Sequence, residues 1–102
     1  MKHLKFRDEY IPLVLGGLKK TTIRDKLKYR VGEIVYIADL RGNVYCRARI
    51  TRIDDKYISE LSEEDAFRDG FKSLDELKEA LKEIYGELDE SRKVYIIHFK
   101  II

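Results

Sequence analysis

Residues 17–24 read Gly17-Leu18-Lys19-Lys20-Thr21-Thr22-Ile23-Arg24. Gly16 and Gly17 predict that a helix ends and the chain turns, because glycine adopts left-handed backbone angles without steric cost. The β-branched residues that follow predict a strand. Three cations (Lys19, Lys20 and Arg24) can meet an anion, and two hydroxyls (Thr21 and Thr22) can hydrogen-bond to a ligand. A solvated basic turn, with Arg24 in a surface salt bridge, explains the same residues equally well.

Outward from this stretch, hydrophobic spacing and turn signals predict elements in the order β-α-β-β-β-α-α-β. The strands are expected at residues 4–7, 21–24, 33–38, 44–53 and 93–102. A first helix is expected at residues 9–15, with Asp8 as its N-cap. Two further helices are expected to begin after the capping serines Ser62 and Ser73. Most strands alternate apolar and polar residues, which favours an α+β fold with a mostly antiparallel, curved sheet or barrel and flanking helices.

The strand at residues 44–53 separates two kinds of side chain by its two-residue period. Val44, Cys46, Ala48 and Ile50 fall on one face, which is therefore assigned to the core. Tyr45, Arg47, Arg49 and Thr51 fall on the other face. The arginines Arg47 and Arg49 form a basic stripe, which indicates either a path for a phosphate backbone or a charged exterior paired with acidic helices.

The second half of the chain contains the clearest helix signals. Ser73 with Glu76 three residues later is a capping box, and Gly86 is a suitable residue for the C-terminal end of the same helix. Leu74, Leu77, Leu81 and Ile84 recur at helical spacing and predict one buried stripe. In the closing strand Tyr95, Ile97, Phe99 and Ile101 alternate as one face.

The composition predicts one domain over residues 1–102, because a chain of this length buries a single core. A charged fraction of 39% without any glutamine is typical of thermophile proteins. Residues 1–52 carry 13 Lys/Arg and 5 Asp/Glu, whereas residues 53–102 carry 8 and 14. The basic half indicates a surface for a polyanion, or one of two complementary charged surfaces.

Several classes of protein and site are not expected. No apolar run approaches the ~18 residues that span a bilayer, and the N-terminus lacks the apolar segment of a signal peptide. The single cysteine, Cys46, cannot form an internal disulfide, so a reducing cytoplasm is expected. His3 and His98 lie on opposite terminal strands without a placed carboxylate, which predicts no metal site. No nucleotide-cofactor motif is present, so no cofactor is expected. Without a long exposed apolar stripe, a monomer is expected.

The stretch at residues 17–24 resembles the G-x-K-x-x-T-x-R signature of ASCH domains. Gly32-Glu33, the segment at residues 65–71, the leucine-rich helix at residues 73–85 and the closing strand resemble later elements of the family in the same order. The resemblance covers nearly the whole chain. It implies a PUA-like barrel with a cleft beside the signature, and a family role in binding RNA or nucleotides.

Within that family the chain is similar to the small N4-acetylcytidine amidohydrolase subgroup. The resemblance implies a catalytic Lys at Lys19, a catalytic Thr at Thr22 and an acid at Asp69, where the subgroup has Glu. Independently of the resemblance, the cations and hydroxyls of the signature and the basic stripe predict a surface that binds a nucleic acid or another ligand, made of Lys19, Lys20, Thr21, Thr22, Arg24, Arg47 and Arg49. Three functions are compatible with these residues: binding of RNA or a modified nucleoside, hydrolysis of an N4-acylated cytidine, and protein interaction through the acidic helices.

A threonine nucleophile requires a base, so the enzymatic reading requires a Lys19 amine whose pKa lies well below its ordinary value of about 10.4. Burial, together with Arg24 or Lys20, is the expected cause. Asp69 is one methylene shorter than Glu. On a fixed backbone it would hold the acid about 1.5 Å, one C–C bond, from the place that Glu reaches.

Overall fold

The computed structural model describes residues 1–102, and the chain folds into five strands and three α-helices. The strands are β1 (His3–Phe6), β2 (Thr21–Arg24), β3 (Ile34–Asp39), β4 (Val44–Tyr57) and β5 (Lys93–Ile101). The helices are α1 (Ile11–Leu15), α2 (Glu63–Arg68) and α3 (Leu74–Tyr85). Short 3-10 turns at Asp8–Tyr10 and Ile58–Glu60 precede α1 and follow β4. None of the helices has the length and apolar character that crossing a membrane requires.

All five strands form one mixed sheet in the order β1-β3-β4-β5-β2. The β1–β3 pair is parallel, and the other three pairs are antiparallel. The α+β class is confirmed, but the predicted barrel is not, because β1 and β2 are the two edges of the sheet and do not pair with each other. A side chain connects these two edges instead: Arg24 Nη2 of β2 donates to the Lys5 carbonyl of β1 at 2.8 Å. Tyr29, in the segment after β2, donates from Oη to the His3 carbonyl of β1 at 3.0 Å.

The predicted faces of β4 are correct only in part. Ala48 and Ile50 are buried, but Val44 is exposed. The pairing with β3 shifts between Ile37 and Ala38, so that Cys46 lies opposite Ile37 and Val44 opposite Ala38. Successive strand residues face opposite sides of a sheet, so this bulge turns Val44 away from the face of Cys46.

Strand β5 lies inside the sheet and is buried on both faces. Ile97 and Phe99 belong to one core cluster, with residues of β1, β3 and β4. Val94 and Ile96 belong to a second cluster, beneath α2 and α3. The predicted alternation therefore identified Ile97 and Phe99 as buried, but not Val94 and Ile96. Helices α2 and α3 cover the other face.

The capping serines are confirmed as helix starts. Ser62 accepts a hydrogen bond from the Asp65 amide at the start of α2, and Ser73 accepts one from the Glu76 amide at the start of α3. The Asp8 cap is wrong, because Asp8 lies within the 3-10 turn before α1 and caps nothing. The stripe of α3 is buried at Leu77 and Leu81, but Ile84 is half exposed.

Candidate functional site

A cleft of about 410 Å³ opens where the edges of β1 and β2 approach each other beside α3. Of its 18 lining residues, 11 are hydrophobic, so its wall is mainly apolar with a few polar groups. Those polar groups include Lys19, Thr22, Arg24 and Asp69. The apolar wall includes Phe6, Tyr10, Phe71, Leu77, Leu81, Ile84 and Tyr85. A mainly apolar cavity with a few convergent polar groups is the usual form of a small-molecule site.

Lys19 is the most enclosed cation of the cleft, with 4% of its surface exposed. Its Nζ lies 3.0 Å from Oδ1 of Asp69 and donates to the Asp69 carbonyl, also at 3.0 Å. Three aromatic rings surround the ammonium group: Tyr10 at 5.2 Å, Phe71 at 5.8 Å and Phe6 at 5.9 Å from Nζ to the ring centroids. These faces stabilise a cation and also exclude water from it.

The backbone places Lys19 against the end of α2. The Lys19 amide donates to the Leu13 carbonyl at 3.0 Å, and the Lys20 amide donates to the Arg68 carbonyl at 2.7 Å. Gly70 follows α2 with a φ of +90°, and a Cβ there would lie 3.2 Å from Lys19 Cβ. The segment that carries Lys19 therefore lies so close to the end of α2 that a side chain at position 70 would make a tight contact, and the positive φ there also favours glycine.

Burial disfavours the charged forms of both Lys19 and Asp69. It lowers the pKa of Lys19. The attraction of Asp69 opposes this downward shift, and the charge of Arg24 adds to it. Burial raises the pKa of Asp69, which Lys19 and a hydrogen bond from Thr21 oppose. The direction of the Lys19 shift is the one that a lysine base requires. Lys20 is exposed and contributes nothing to that shift.

The Asp69 carboxyl contacts the Lys19 amine directly, although the Asp side chain is shorter than that of Glu. Its Oδ1 accepts one hydrogen bond, from Thr21 Oγ1 at 2.9 Å, and lies 3.0 Å from Lys19 Nζ. Its Oδ2 receives no hydrogen bond from the protein, and the residue lines the cleft. The arrangement leaves one carboxyl oxygen available to a molecule in the cleft.

Thr22 and Arg24 lie on the same edge of the cleft. Arg24 Nη1 donates to Thr22 Oγ1, while Nη2 donates to the Lys5 carbonyl across the gap. The guanidinium group also lies over the Phe6 ring at 5.8 Å. The surface salt bridge considered for Arg24 is wrong, because its partners are a hydroxyl and two carbonyls rather than a carboxylate. The guanidinium holds the Thr22 hydroxyl at the cleft.

The other predicted binding residues lie outside the cleft. Thr21 is fully buried and contacts Asp69, and the Lys20 side chain is exposed on the outer surface. Arg47 and Arg49 are exposed on β4 and do not line the cleft, and Arg49 donates to the Gly32 carbonyl at 3.1 Å. The structure brings together Lys19, Thr22, Arg24 and Asp69 from the predicted set, and separates the rest.

The sequence reasoning missed the aromatic wall. Phe6 lies on β1, Tyr10 in the turn before α1, and Phe71 after α2, so no spacing connects them. Of the three, only Phe71 could have been found from the sequence, since it follows the acidic-Gly pair of the family pattern.

The predicted histidines lie apart. His3 lines the cleft, whereas His98 does not line it and its Nε2 contacts Asp54 at 2.9 Å. Nowhere in residues 1–102 do three His, Cys, Asp or Glu side chains gather as the ligands of a metal would.

Comparison with known proteins gives the family from the sequence, and solved structures have a similar fold. A family model described as the ASCH domain matches residues 1–102. The chain is 30% identical to an N(4)-acetylcytidine amidohydrolase of Serratia proteamaculans (strain 568), over 96% of this chain and 95% of that protein. Its fold is similar to the ASCH domain of Lactobacillus crispatus JV V101, with a TM-score of 0.81, 22% identity, and coverage of 98% and 79%. A protein of Enterococcus faecalis V583 gives a TM-score of 0.77 at 18% identity, covering 100% of this chain and 76% of that one. With the signature residues at the cleft and the family pattern matched from end to end, the chain belongs to the ASCH domain family.

Proposed function

We propose that this protein is an amidohydrolase that removes the acyl group from an N4-acylated cytidine, with N4-acetylcytidine as the first substrate to test. The observation that carries the proposal is the buried Lys19–Asp69 pair, with 3.0 Å between Nζ and Oδ1, in a cleft that Thr22 also lines. The similarity to the N(4)-acetylcytidine amidohydrolase of Serratia proteamaculans supports the same chemistry.

The size and lining of the cleft suit a modified nucleoside. About 410 Å³ falls within the ~300–1,000 Å³ typical of small-molecule sites. The rings of Tyr29 and Tyr85 line the cleft in addition to those around Lys19, and aromatic faces stack on bases. A flat acylated cytosine can therefore pack against the apolar wall while its amide faces the polar groups.

In the first half of the proposed reaction, Thr22 Oγ1 attacks the acyl carbonyl carbon, and its proton passes to the neutral amine of Lys19. The tetrahedral intermediate then loses the C–N bond. Asp69 in its acid form gives its proton to the departing N4 nitrogen, which releases cytidine. The products of this half are an acyl ester on Thr22, a protonated Lys19 and an ionised Asp69.

In the second half, a water molecule attacks the ester carbonyl and gives a proton to the ionised Asp69. The bond from the acyl carbon to Thr22 oxygen breaks, and Lys19 returns its proton to that oxygen. The products are the free acid and an enzyme in its starting state, so protons and bonds balance. Arg24 stabilises charge on the threonine oxygen in both halves through its hydrogen bond.

The proposed mechanism requires Lys19 neutral and Asp69 protonated at the same time. Burial moves both pKa values in that direction, downward for Lys19 and upward for Asp69. We expect a bell-shaped dependence of kcat on pH, rising as Lys19 loses its proton and falling as Asp69 loses its own. The two apparent values belong to the coupled pair rather than to either residue.

Hydrolysis of N4-acetylcytidine by the purified protein, followed by chromatography of the released cytidine, tests the proposal. Thr22→Ala and Lys19→Met are expected to lower kcat by about 10²- to 10⁴-fold, as for a lost nucleophile or base. Thr51→Ala and Lys20→Met are the matched controls, because each changes an exposed residue of the same type outside the cleft. Absence of turnover in the wild type, or equal losses in the controls, would contradict the assignment.

Binding of RNA is a second candidate, favoured by the exposed basic stripe on β4. Arg47 and Arg49 lie on one strand face beside the exposed Tyr45, so cations and an aromatic ring occur together. If a strand of RNA follows this face, oligonucleotide affinity should fall steeply with salt. The double variant Arg47→Ala and Arg49→Ala should weaken binding and reduce the salt dependence. An unchanged affinity in that variant would remove the stripe from the RNA path.

A further inference from the structure

Thr21 occupies a position that the family signature leaves unspecified, next to the proposed nucleophile. It lies opposite His98 across β2 and β5, while Thr22 lies opposite Ile97. Successive strand residues face opposite sides, so the two threonine hydroxyls serve different surroundings. Thr22 lines the cleft, whereas Thr21 is fully buried and absent from the cleft wall.

The Thr21 hydroxyl is committed to Asp69. Thr21 Oγ1 donates to Oδ1 at 2.9 Å, and Lys19 Nζ lies 3.0 Å from the same oxygen. Two donors therefore face Oδ1, and none in the protein faces Oδ2. No buried side-chain oxygen or nitrogen lacks a partner, so Oδ2 is an atom that solvent in the cleft can reach.

We propose that Thr21 is a positioning residue, which occupies Oδ1 of Asp69 and so fixes Oδ2 as the oxygen that carries the acid proton toward the cleft. The proposal rests on the proposed function of the site. The Thr21 hydroxyl donates to one side of Oδ1 and the Lys19 nitrogen lies 3.0 Å from the same oxygen, so both lone-pair directions of Oδ1 are occupied and the carboxyl proton is favoured on Oδ2. The acid is thereby aimed at the leaving nitrogen before substrate arrives.

Few other groups near Asp69 could orient its carboxyl in place of Thr21. Lys19 contacts Asp69 from the residues before β2. The charge of Arg24, at the end of β2, lowers the pKa of Asp69, and Tyr10 lies near it in the turn before α1. His98, across from Thr21, instead contacts Asp54. Thr21 is therefore the side chain whose hydroxyl donates to the Asp69 carboxyl.

The test compares Thr21→Val, which removes the hydroxyl, with Thr21→Ser, which keeps it. For Thr21→Val we expect kcat on N4-acetylcytidine to fall about 10- to 100-fold, the equivalent of one hydrogen bond to a charged group, with KM unchanged. The hydrogen bond from Thr21 lowers the pKa of Asp69, so its loss should move the alkaline limb of the kcat profile to higher pH. Thr21→Ser should restore both quantities. Thr21→Ala repeats the comparison if Thr21→Val does not fold.

A merely structural role would lower stability or raise KM while the alkaline limb stays in place, and that result would overturn the proposal. A carboxyl-carbon NMR titration of Asp69 provides a readout that does not depend on turnover. A rise of the Asp69 pKa in Thr21→Val but not in Thr21→Ser supports the positioning role even if N4-acetylcytidine is not hydrolysed, in which case the proposed function alone fails. An unchanged titration in Thr21→Val overturns the inference whatever the wild-type activity is.

Discussion

Replacement of Gly70 by alanine perturbs the site through the backbone that supports it. Gly70 has a φ of +90°, and the added Cβ would lie 3.2 Å from Lys19 Cβ and 3.6 Å from Leu13 Cδ1. Lys19 cannot easily retreat, because its amide is hydrogen-bonded to Leu13 and its Nζ to Asp69. Gly32 is the matched control, with a φ of +89° and nothing within 4 Å of an added Cβ.

The two variants share every effect except the contact. Each places a side chain at a positive φ, which costs about 1–2 kcal/mol. Each also lowers the conformational entropy of the unfolded chain to the same extent, which stabilises the folded state by about 0.4–1 kcal/mol. Gly70→Ala alone adds a tight contact, and overpacking costs about 1–3 kcal/mol. We therefore expect Gly70→Ala to lower the free energy of unfolding by about 1–3 kcal/mol more than Gly32→Ala does.

Urea unfolding of both variants at pH 7 measures this difference, with the slope m checked for constancy. Displacement of Lys19 by a few tenths of an ångström should also lower kcat on N4-acetylcytidine by about 10-fold in Gly70→Ala, since 1 Å can cost about 10²-fold. Gly32→Ala should retain wild-type turnover. Equal losses of stability in the two variants would refute the reasoning, because the close approach of the helix end to Lys19 would then have no energetic weight.

Three further predictions concern single side chains. Burial alone would raise the pKa of Asp65, but hydrogen bonds from Lys56 and Ser62 more than offset it and hold that pKa below its ordinary value. Asp65 therefore contributes stability above the unfolded-state pKa of about 3.9, and this contribution is lost as the pH falls through its folded pKa. Asp65→Asn should cost about 1–2 kcal/mol at pH 7, because Lys56 is partly exposed, and should flatten the acid limb of the stability profile. Ser73→Ala removes the N-cap of α3 and should cost about 1 kcal/mol by urea unfolding, and an unchanged midpoint would show that the cap is dispensable. Arg24→Lys keeps the charge but cannot bridge both edge strands, so kcat should fall by about 10-fold or more, whereas full activity would assign Arg24 a purely electrostatic role.

Much of the secondary structure could be predicted because its signals are local. The capping serines Ser62 and Ser73 begin α2 and α3 as expected, since a side-chain oxygen two or three residues from its donor needs no tertiary help. The prediction failed where distant contacts decide the outcome. Val44 is exposed because β3 and β4 slip by one residue at Ile37, and a register shift between strands leaves no mark on either strand alone.

The candidate site was predictable to the extent that a continuous motif contains it. Lys19, Thr22 and Arg24 lie within eight residues, and the resemblance to the family pointed to Asp69. Residues from distant parts of the chain were missed, including the aromatic rings around Lys19. Arg47 and Arg49 were grouped with the site because strand alternation gives a face of the sheet, and it does not give the distance from that face to a loop.

The sequence by itself determined the family, the α+β class, the starts of α2 and α3 and the polar residues of the signature, because all of these depend on residues adjacent along the chain. Only the tertiary structure decided that β1 and β2 stay apart as edges with a cleft between them, and that Asp69 reaches Lys19 despite its shorter side chain. The charge state of that pair depends on burial, and burial is set by aromatic rings brought together from β1, the turn before α1 and the end of α2. Desolvation is a property of the packed molecule, so the chemistry of Lys19 depends on the fold.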